Sequence, residues 1–219
     1  KNRILDYHMD QGVHFEDLTG TVIGCDVAIE EGVTIGHNNI IKGKTRIKKG
    51  ARIGNGNVIE DCVVDEGAVI ESSHAVRSYI GKGTSVGPYA NLRADNVIGE
   101  KCKIGDFVEL KSCTIGDGSK LSHLTYAGNA VIGKGCNVGA GVVFANYDGK
   151  DKHTTVVGDN AFIGSSSTII APVKIEDGAF IAAGSVINAF VPAGALAIAR
   201  ARQTVKPDWT GNKYTAGKK

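Results

Sequence analysis

One histidine in a polar setting and two cations at a fixed interval are the residues of this chain best suited to chemistry. His123 lies in KLSHLTYAGNAVIG, beside Ser122 and close to Thr125 and Tyr126. A neutral imidazole acts as a general base near neutral pH if it reaches the nucleophile's proton. A histidine at a corner is more often a structural hydrogen-bonding group, and the residue alone does not choose between the two. Arg93 and Lys111 each follow an aliphatic residue and lie eighteen residues apart. Folding that stacks them makes them repel unless an anion sits between. A phosphate suits both, with Arg as a fixed fork and Lys as a mobile point charge. The bland alternative is a pair of solvated cations neutralised by Glu109 or Asp95. Ser165 and Ala183 repeat the interval with small side chains, either as corner packing or as a groove that frees backbone groups for a long ligand.

The remaining reactive residues point nowhere in particular. His8, His14, His37, His74 and His153 form no motif, and no two histidines sit at the four- or five-residue spacing of a local ligand pair, so the sequence calls for no metal. Cys25, Cys62, Cys102, Cys113 and Cys136 contain no C-x-x-C pair, and their odd number fits free buried thiols in a reducing compartment. None stands beside a convincing base, which disfavours a cysteine nucleophile.

The elements that must position these groups are repeats. An aliphatic residue recurs every six positions at 23, 29, 35, 41, 47, 53 and 59, again from 80 to 110, and again from 157 to 187, often with Gly next. A helix needs a period near 3.6 and a half-buried strand a period of 2, so the pattern reads as a solenoid. Six residues make one side of a triangular prism, and eighteen make a coil, which gives roughly nine coils. Coils stack about 4.8 Å apart, so an interval of eighteen becomes direct superposition. Two interruptions stand out. SSHAVRSY, between Ile70 and Tyr79, reads as one bulged corner. ANYDGKDKHTTV carries about seven extra residues and must leave the prism as a loop.

The expected organisation is therefore all-β: a helical connector and linker over 1–16, a β-helix over 17–191 with a protruding loop at about 145–156, and an extended tail over 192–219. Ile4, Leu5 and Met9 form the apolar stripe of the short helix, and Pro192 and Gly194 mark the exit turn into a Lys-rich, frayed end. With 25 basic and 23 acidic side chains, nothing electrostatic speaks for nucleic acid. No run approaches eighteen apolar residues and the first residues lack a signal-peptide core, so the expectation is a cytoplasmic protein without membrane insertion. The start at Lys1 and the single Met9 read as a processed chain or a piece of a longer one.

RADNVIGEKCKIGDFVELK, SHLTYAGNAVIGKGCNVGAGVVFANYDGKDKHTT, GDNAFIGSSSTIIAPVKI, IAAGSVI and ALAIARARQ resemble the acetyltransferase half of the bacterial bifunctional enzymes that make UDP-N-acetylglucosamine. The likeness is strong from about 87 to 202 and weaker from 17 to 86, and NRILDYHMDQGV is similar to the connector that leads into the prism. It implies a left-handed parallel β-helix, a homotrimer with shared sites, acetyl-CoA as co-substrate and glucosamine 1-phosphate as acceptor. A uridyltransferase domain would precede this chain in the parent protein. Residue by residue, it implies His123 as catalytic base and Arg93, Lys111, Tyr126, Asn137 and Lys152 as sugar-phosphate ligands. Ala140, Asn146, Tyr147, Ser165, Ala183 and Arg200 would serve acetyl-CoA, Arg200 through a CoA phosphate.

One position departs from the pattern: YAGN replaces the usual Y-x-G-D, so Asn129 stands in place of a carboxylate. If that carboxylate orients the histidine, base strength suffers; if it caps a turn, Asn substitutes. The implied reaction is direct transfer in a ternary complex, with an oxyanion donor expected among the amides of Gly139 to Gly141. Another hexapeptide-repeat acetyltransferase, or a noncatalytic solenoid scaffold, remains open on the residues alone.

Overall fold

The computed structural model describes residues 2–207 and 209, and the aliphatic period becomes a left-handed parallel β-helix. Thirty strands of two to four residues follow the N-terminal helix Asn2–Asp10. Each strand pairs in parallel with the third one on, except that the last strand pairs with the one two before it, which sorts them into three faces: face 1 with eleven strands, face 2 with ten and face 3 with nine. The ladder begins at His14–Phe15 and ends at Leu196–Ala197, which pairs with Phe180–Ile181, so pairing extends past the exit turn at Pro192 and Gly194. Residues 208 and 210–219, which hold most of the Lys-rich end, lie outside the described residues.

Every six-residue aliphatic position named above points inward and is buried. A fully buried Ile, Leu or Val is worth about 1.5–3 kcal/mol, so a column of them along the axis carries the stability of a prism with few aromatics. Phe144 is the largest fully buried side chain. Small polar residues line the inner corners and tie coil to coil; Asn39 Oδ1, for example, accepts the Asn57 amide N–H at 2.9 Å and its Nδ2 at 3.0 Å.

The coils are not uniformly eighteen residues long. Between Ile59 and Ile80 and again between Leu110 and Ile132 several steps shrink to five, as in Ile70, Ala75 and Ile80. The SSHAVRSY corner is thus tightened and not bulged. Ser72 at φ +43° and Arg77 at φ +40° turn the chain in fewer residues by adopting left-handed backbone. The N-terminal helix also differs from its expected stripe. Leu5 and His8 face the first coils and are buried, whereas Met9 is exposed. Cys62, Cys102, Cys113 and Cys136 are buried, but Cys25 is exposed, and all five are free thiols. Burial pushes the Cys62 thiol up to about 11, which fits an inert core residue.

Candidate active site

The corner where face 1 turns into face 2 is where the sequence candidates converge. On face 1, Ile104, Leu121, Val138, Ile163 and Ile181 are stacked partners, so the residues two further on form a second stack at the corner. That stack reads Asp106, His123, Ala140, Ser165, Ala183. Asp106 and His123 are direct cross-strand partners, and His123 Nδ1–H donates to Asp106 Oδ1 at 2.5 Å. The contact holds the Asp106 carboxyl below the usual carboxylate range, chiefly through the His123 hydrogen bond. It also fixes the tautomer: with the proton on Nδ1, Nε2 presents its lone pair outward from a side chain that is 54% exposed.

The expected orienting position, Asn129, does something else. Its Oδ1 accepts from Asn146 Nδ2 at 2.7 Å, and Asn146 Oδ1 accepts from the Tyr126 hydroxyl at 3.4 Å. Asn146 is 5% exposed and both ends of its amide are engaged, so it anchors the base of the inserted loop. Glycine at 128 leaves room for this pair, because a Cβ there would come to 2.6 Å from Asn146 Nδ2 and 2.7 Å from the Tyr126 hydroxyl and would displace them. Asp106 is the residue the sequence reading missed.

Arg93 and Lys111 follow the stacked partners Leu92 and Leu110 at the far edge of face 2, as the interval of eighteen requires. Arg93 Nη1 pairs with Glu109 Oε1 at 3.0 Å, whereas Asp95 pairs with Arg77. Half of the neutralising alternative therefore applies, to Arg93. Lys111 is different: Lys152 from the loop stands beside it, and the two ammonium groups together with Arg93 push the Lys111 pKa down. Three cations share one edge, with Glu109 against Arg93 and with Asp95, itself paired to Arg77, near enough to Lys111 to offset part of the crowding; the remaining excess of positive charge suits an anion. Tyr126 lies on the same face, in register with Glu109. Asn137 does not. It belongs to face 1, in register with Lys120, around the corner from the cations.

Toward the tail the corner stays open. Gly139 and Gly164 are needed for close stacking, since a Cβ on either would lie 2.6 Å from Ser165 N or 2.4 Å from Ala183 N. The Gly139 and Gly141 amides are spent on Ile163 O and His123 O at 2.8 and 3.3 Å. The amides of Ala140, Ser165 and Ala183 donate to no other described residue. Arg200 approaches the top of the same corner, its Cδ 3.8 Å from where a Cβ on Gly184 would sit. Tyr147 is exposed on the loop. Just outside the corner, Tyr89, Phe107 and Leu124 are exposed and held at φ of +60°, +55° and +51°, with Tyr89 and Phe107 stacked at 5.5 Å. Bulky residues rarely occupy that backbone region, and such outliers gather at functional sites.

Comparison with known proteins agrees with the fold. Over 211 residues the chain is 48% identical to the bifunctional protein GlmU of Clostridium novyi, covering 96% of this chain and 46% of that protein. The chain matches the C-terminal region of GlmU. GlmU of Clostridium acetobutylicum is 47% identical over 213 residues, 97% of this chain and 47% of its own length. The chain thus spans about half the length of the GlmU proteins it matches. The bacterial transferase hexapeptide model (six repeats) matches residues 154–189, and a model described as the GMPPB C-terminal domain matches 74–160. Among solved structures, a UDP-N-acetylglucosamine acyltransferase superposes with a TM-score of 0.57 at 22% identity, over 82% of this chain and 69% of that one, which supports the fold. Among the described residues no helix is long and apolar enough to cross a membrane, and no group of three or more His, Cys, Asp or Glu could hold a metal ion.

Proposed function

We propose that this chain is a glucosamine-1-phosphate N-acetyltransferase that carries acetyl from acetyl-CoA to the 2-amino group of the sugar. The observation that carries the reading is the pairing of an oriented His123 with a cation cluster one face away. In this reading the C2 ammonium first gives one proton to solvent, and the free amine attacks the thioester carbonyl carbon while His123 Nε2 takes a second proton from its nitrogen. As the C–S bond breaks, the imidazolium passes that proton to the departing thiolate, giving N-acetylglucosamine 1-phosphate and CoA with one proton left in solvent. Arg93, Lys111 and Lys152 take the phosphate. Of the three amides expected to steady the oxyanion, Ala140 is the one left available. Arg200 at the end of the open corner suits a CoA phosphate, with Tyr147 on the loop as a further contact. Burial raises the pKa of the Cys62, Cys102, Cys113 and Cys136 thiols, and the exposed Cys25 lies in the first coils away from the corner, which argues against a covalent intermediate; the reaction as drawn needs no metal ion.

Asn137 sits on the wrong face to join Arg93 and Lys111 within one prism, which supports a homotrimer whose sites combine face 1 of one copy with face 2 of its neighbour. The reading includes a cytoplasmic location, the organisation 1–16, 17–191 and 192–219, and a parent protein whose uridyltransferase domain precedes this chain.

Thiol release from acetyl-CoA tests it, run with glucosamine 1-phosphate, glucosamine 6-phosphate and glucosamine. The 1-phosphate should be strongly preferred, and Arg93→Ala should reduce its kcat/KM far more than that of unphosphorylated glucosamine. Equal penalties on both substrates would remove the phosphate from the cation edge.

A further inference from the structure

The insertion between Phe144 and Val157 leaves the prism as a built arm. At its base the His153 amide N–H donates to Asn146 O at 2.8 Å, and Tyr147 and Lys152 face each other as an antiparallel bridge. Asp148 closes the turn between them. Its Oδ1 accepts the Lys150 and Asp151 amides at 2.8 and 2.7 Å, and its Oδ2 accepts His153 Nε2–H at 2.6 Å. The His153 contact and then the two amides hold the Asp148 carboxyl far below the ordinary carboxylate range. Gly149, at φ +101°, supplies the left-handed step, and the Tyr147 hydroxyl donates to its carbonyl at 2.6 Å.

Lys152 at the end of this arm has an electrostatic reason to be elsewhere, because it faces Lys111 and, beyond it, Arg93. A free lysine on a flexible loop would swing into solvent. We infer that Asp148 and His153 form a latch, acting as positioning residues that keep Lys152 in the cation cluster before any anion arrives. The latch rests on the function proposed above, in which that anion is the phosphate of the acceptor. Holding the ammonium in place in advance removes an ordering cost from binding.

Asp148→Asn and His153→Ala should each raise KM for glucosamine 1-phosphate about tenfold and leave kcat and the KM for glucosamine nearly unchanged. In a Lys152→Ala background the same substitutions should add nothing, and His153→Gln, which keeps a donor, should recover most of the loss. Equal losses with and without the phosphate overturn the latch, because a general collapse of the site gives that result. Trypsin reads the latch without substrate: cleavage after Lys150 and Lys152 in the full chain should accelerate about tenfold in Asp148→Asn, since proteolysis follows local opening. Unchanged cleavage overturns the latch whatever the chain acetylates. A wild-type chain that releases no thiol from acetyl-CoA overturns the proposed function instead, and the trypsin comparison then decides the latch by itself.

Discussion

His123 owes its usefulness to a neighbour seventeen residues away. Replacing the proposed base, His123→Ala, should cut kcat by roughly 10²–10⁴-fold with little change in acetyl-CoA affinity, as measured by steady-state thiol release. Asp106→Asn should lower kcat through loss of tautomer control while leaving KM for the sugar close to normal. It carries a second signature. Because His123 depresses the Asp106 pKa, the pair contributes stability above about pH 4, the unfolded value, and loses it as pH falls through the lower folded value. Thermal melts of Asp106→Asn should therefore decline less than wild type below pH 4; parallel curves would mean that the contact contributes nothing to folding. For Lys111 the sign reverses. Crowding by Lys152 and Arg93 lowers its pKa, so phosphate affinity should fall at alkaline pH before an ordinary lysine would titrate. Lys152→Gln should move that fall upward, read as KM for glucosamine 1-phosphate against pH. His123, Arg93 and Lys111 were legible as residue types at an interval. Asp106 was not, because a strict eighteen places Gly105 beneath His123 and the short corner after Leu110 shifts the partner by one.

Stacked strands turn such single-residue steps into geometry. The aliphatic period was legible because each face exposes one inward position per six residues, and residues such as Ile35, Ile53 and Ile163 are fully buried. The five-residue corners were hidden because their left-handed turns are made by Asp61, Ser72, Arg77, Ser112 and Asn129, and no glycine marks them. The arm at 146–154 announced itself only as extra length; its internal fold depends on side-chain bonds from Asp148 that no periodicity encodes. Gly139→Ala tests how tightly the coils must meet at the site. Its Cβ would press on Ser165 N at 2.6 Å, so the corner must open; stability should drop by about 1–3 kcal/mol and acetyl transfer should fall disproportionately. Ile163→Asp, one coil away and wholly buried, should abolish soluble folding through an unpaired charge. A Gly139→Ala protein with wild-type melting and turnover would show that the stack has slack.

At the scale of the whole molecule, the faces divide the labour. His123 stands at a corner, the cations lie along face 2 and Asn137 lies on face 1, an arrangement that one sequence could not disclose because the side on which Asn137 falls depends on the coil count. Heterotrimers offer a direct check. His123→Ala and Asn137→Ala, each weakly active alone, should regain about one quarter of wild-type activity when unfolded together and reassembled in equal amounts, since random mixing leaves that share of sites with both residues intact. No recovery would place both residues in the same protomer's site, and an active monomer in sedimentation equilibrium would end the shared-site reading altogether.

The open corner from His123 through Ala140 and Ser165 to Ala183 has a further consequence. Its rungs are spaced by strand pairing, so the distance from the base to Arg200 is quantised in steps of about 4.8 Å. In the proposed function the prism becomes a measuring rod for the arm of the thioester. Excising one eighteen-residue coil between Ser165 and Arg200 should keep the inward register and shorten the rod by one step. Such a protein should lose its preference for the full-length nucleotide-bearing donor over a truncated pantetheine thioester, and carriers would then be told apart by length before any contact with their head groups.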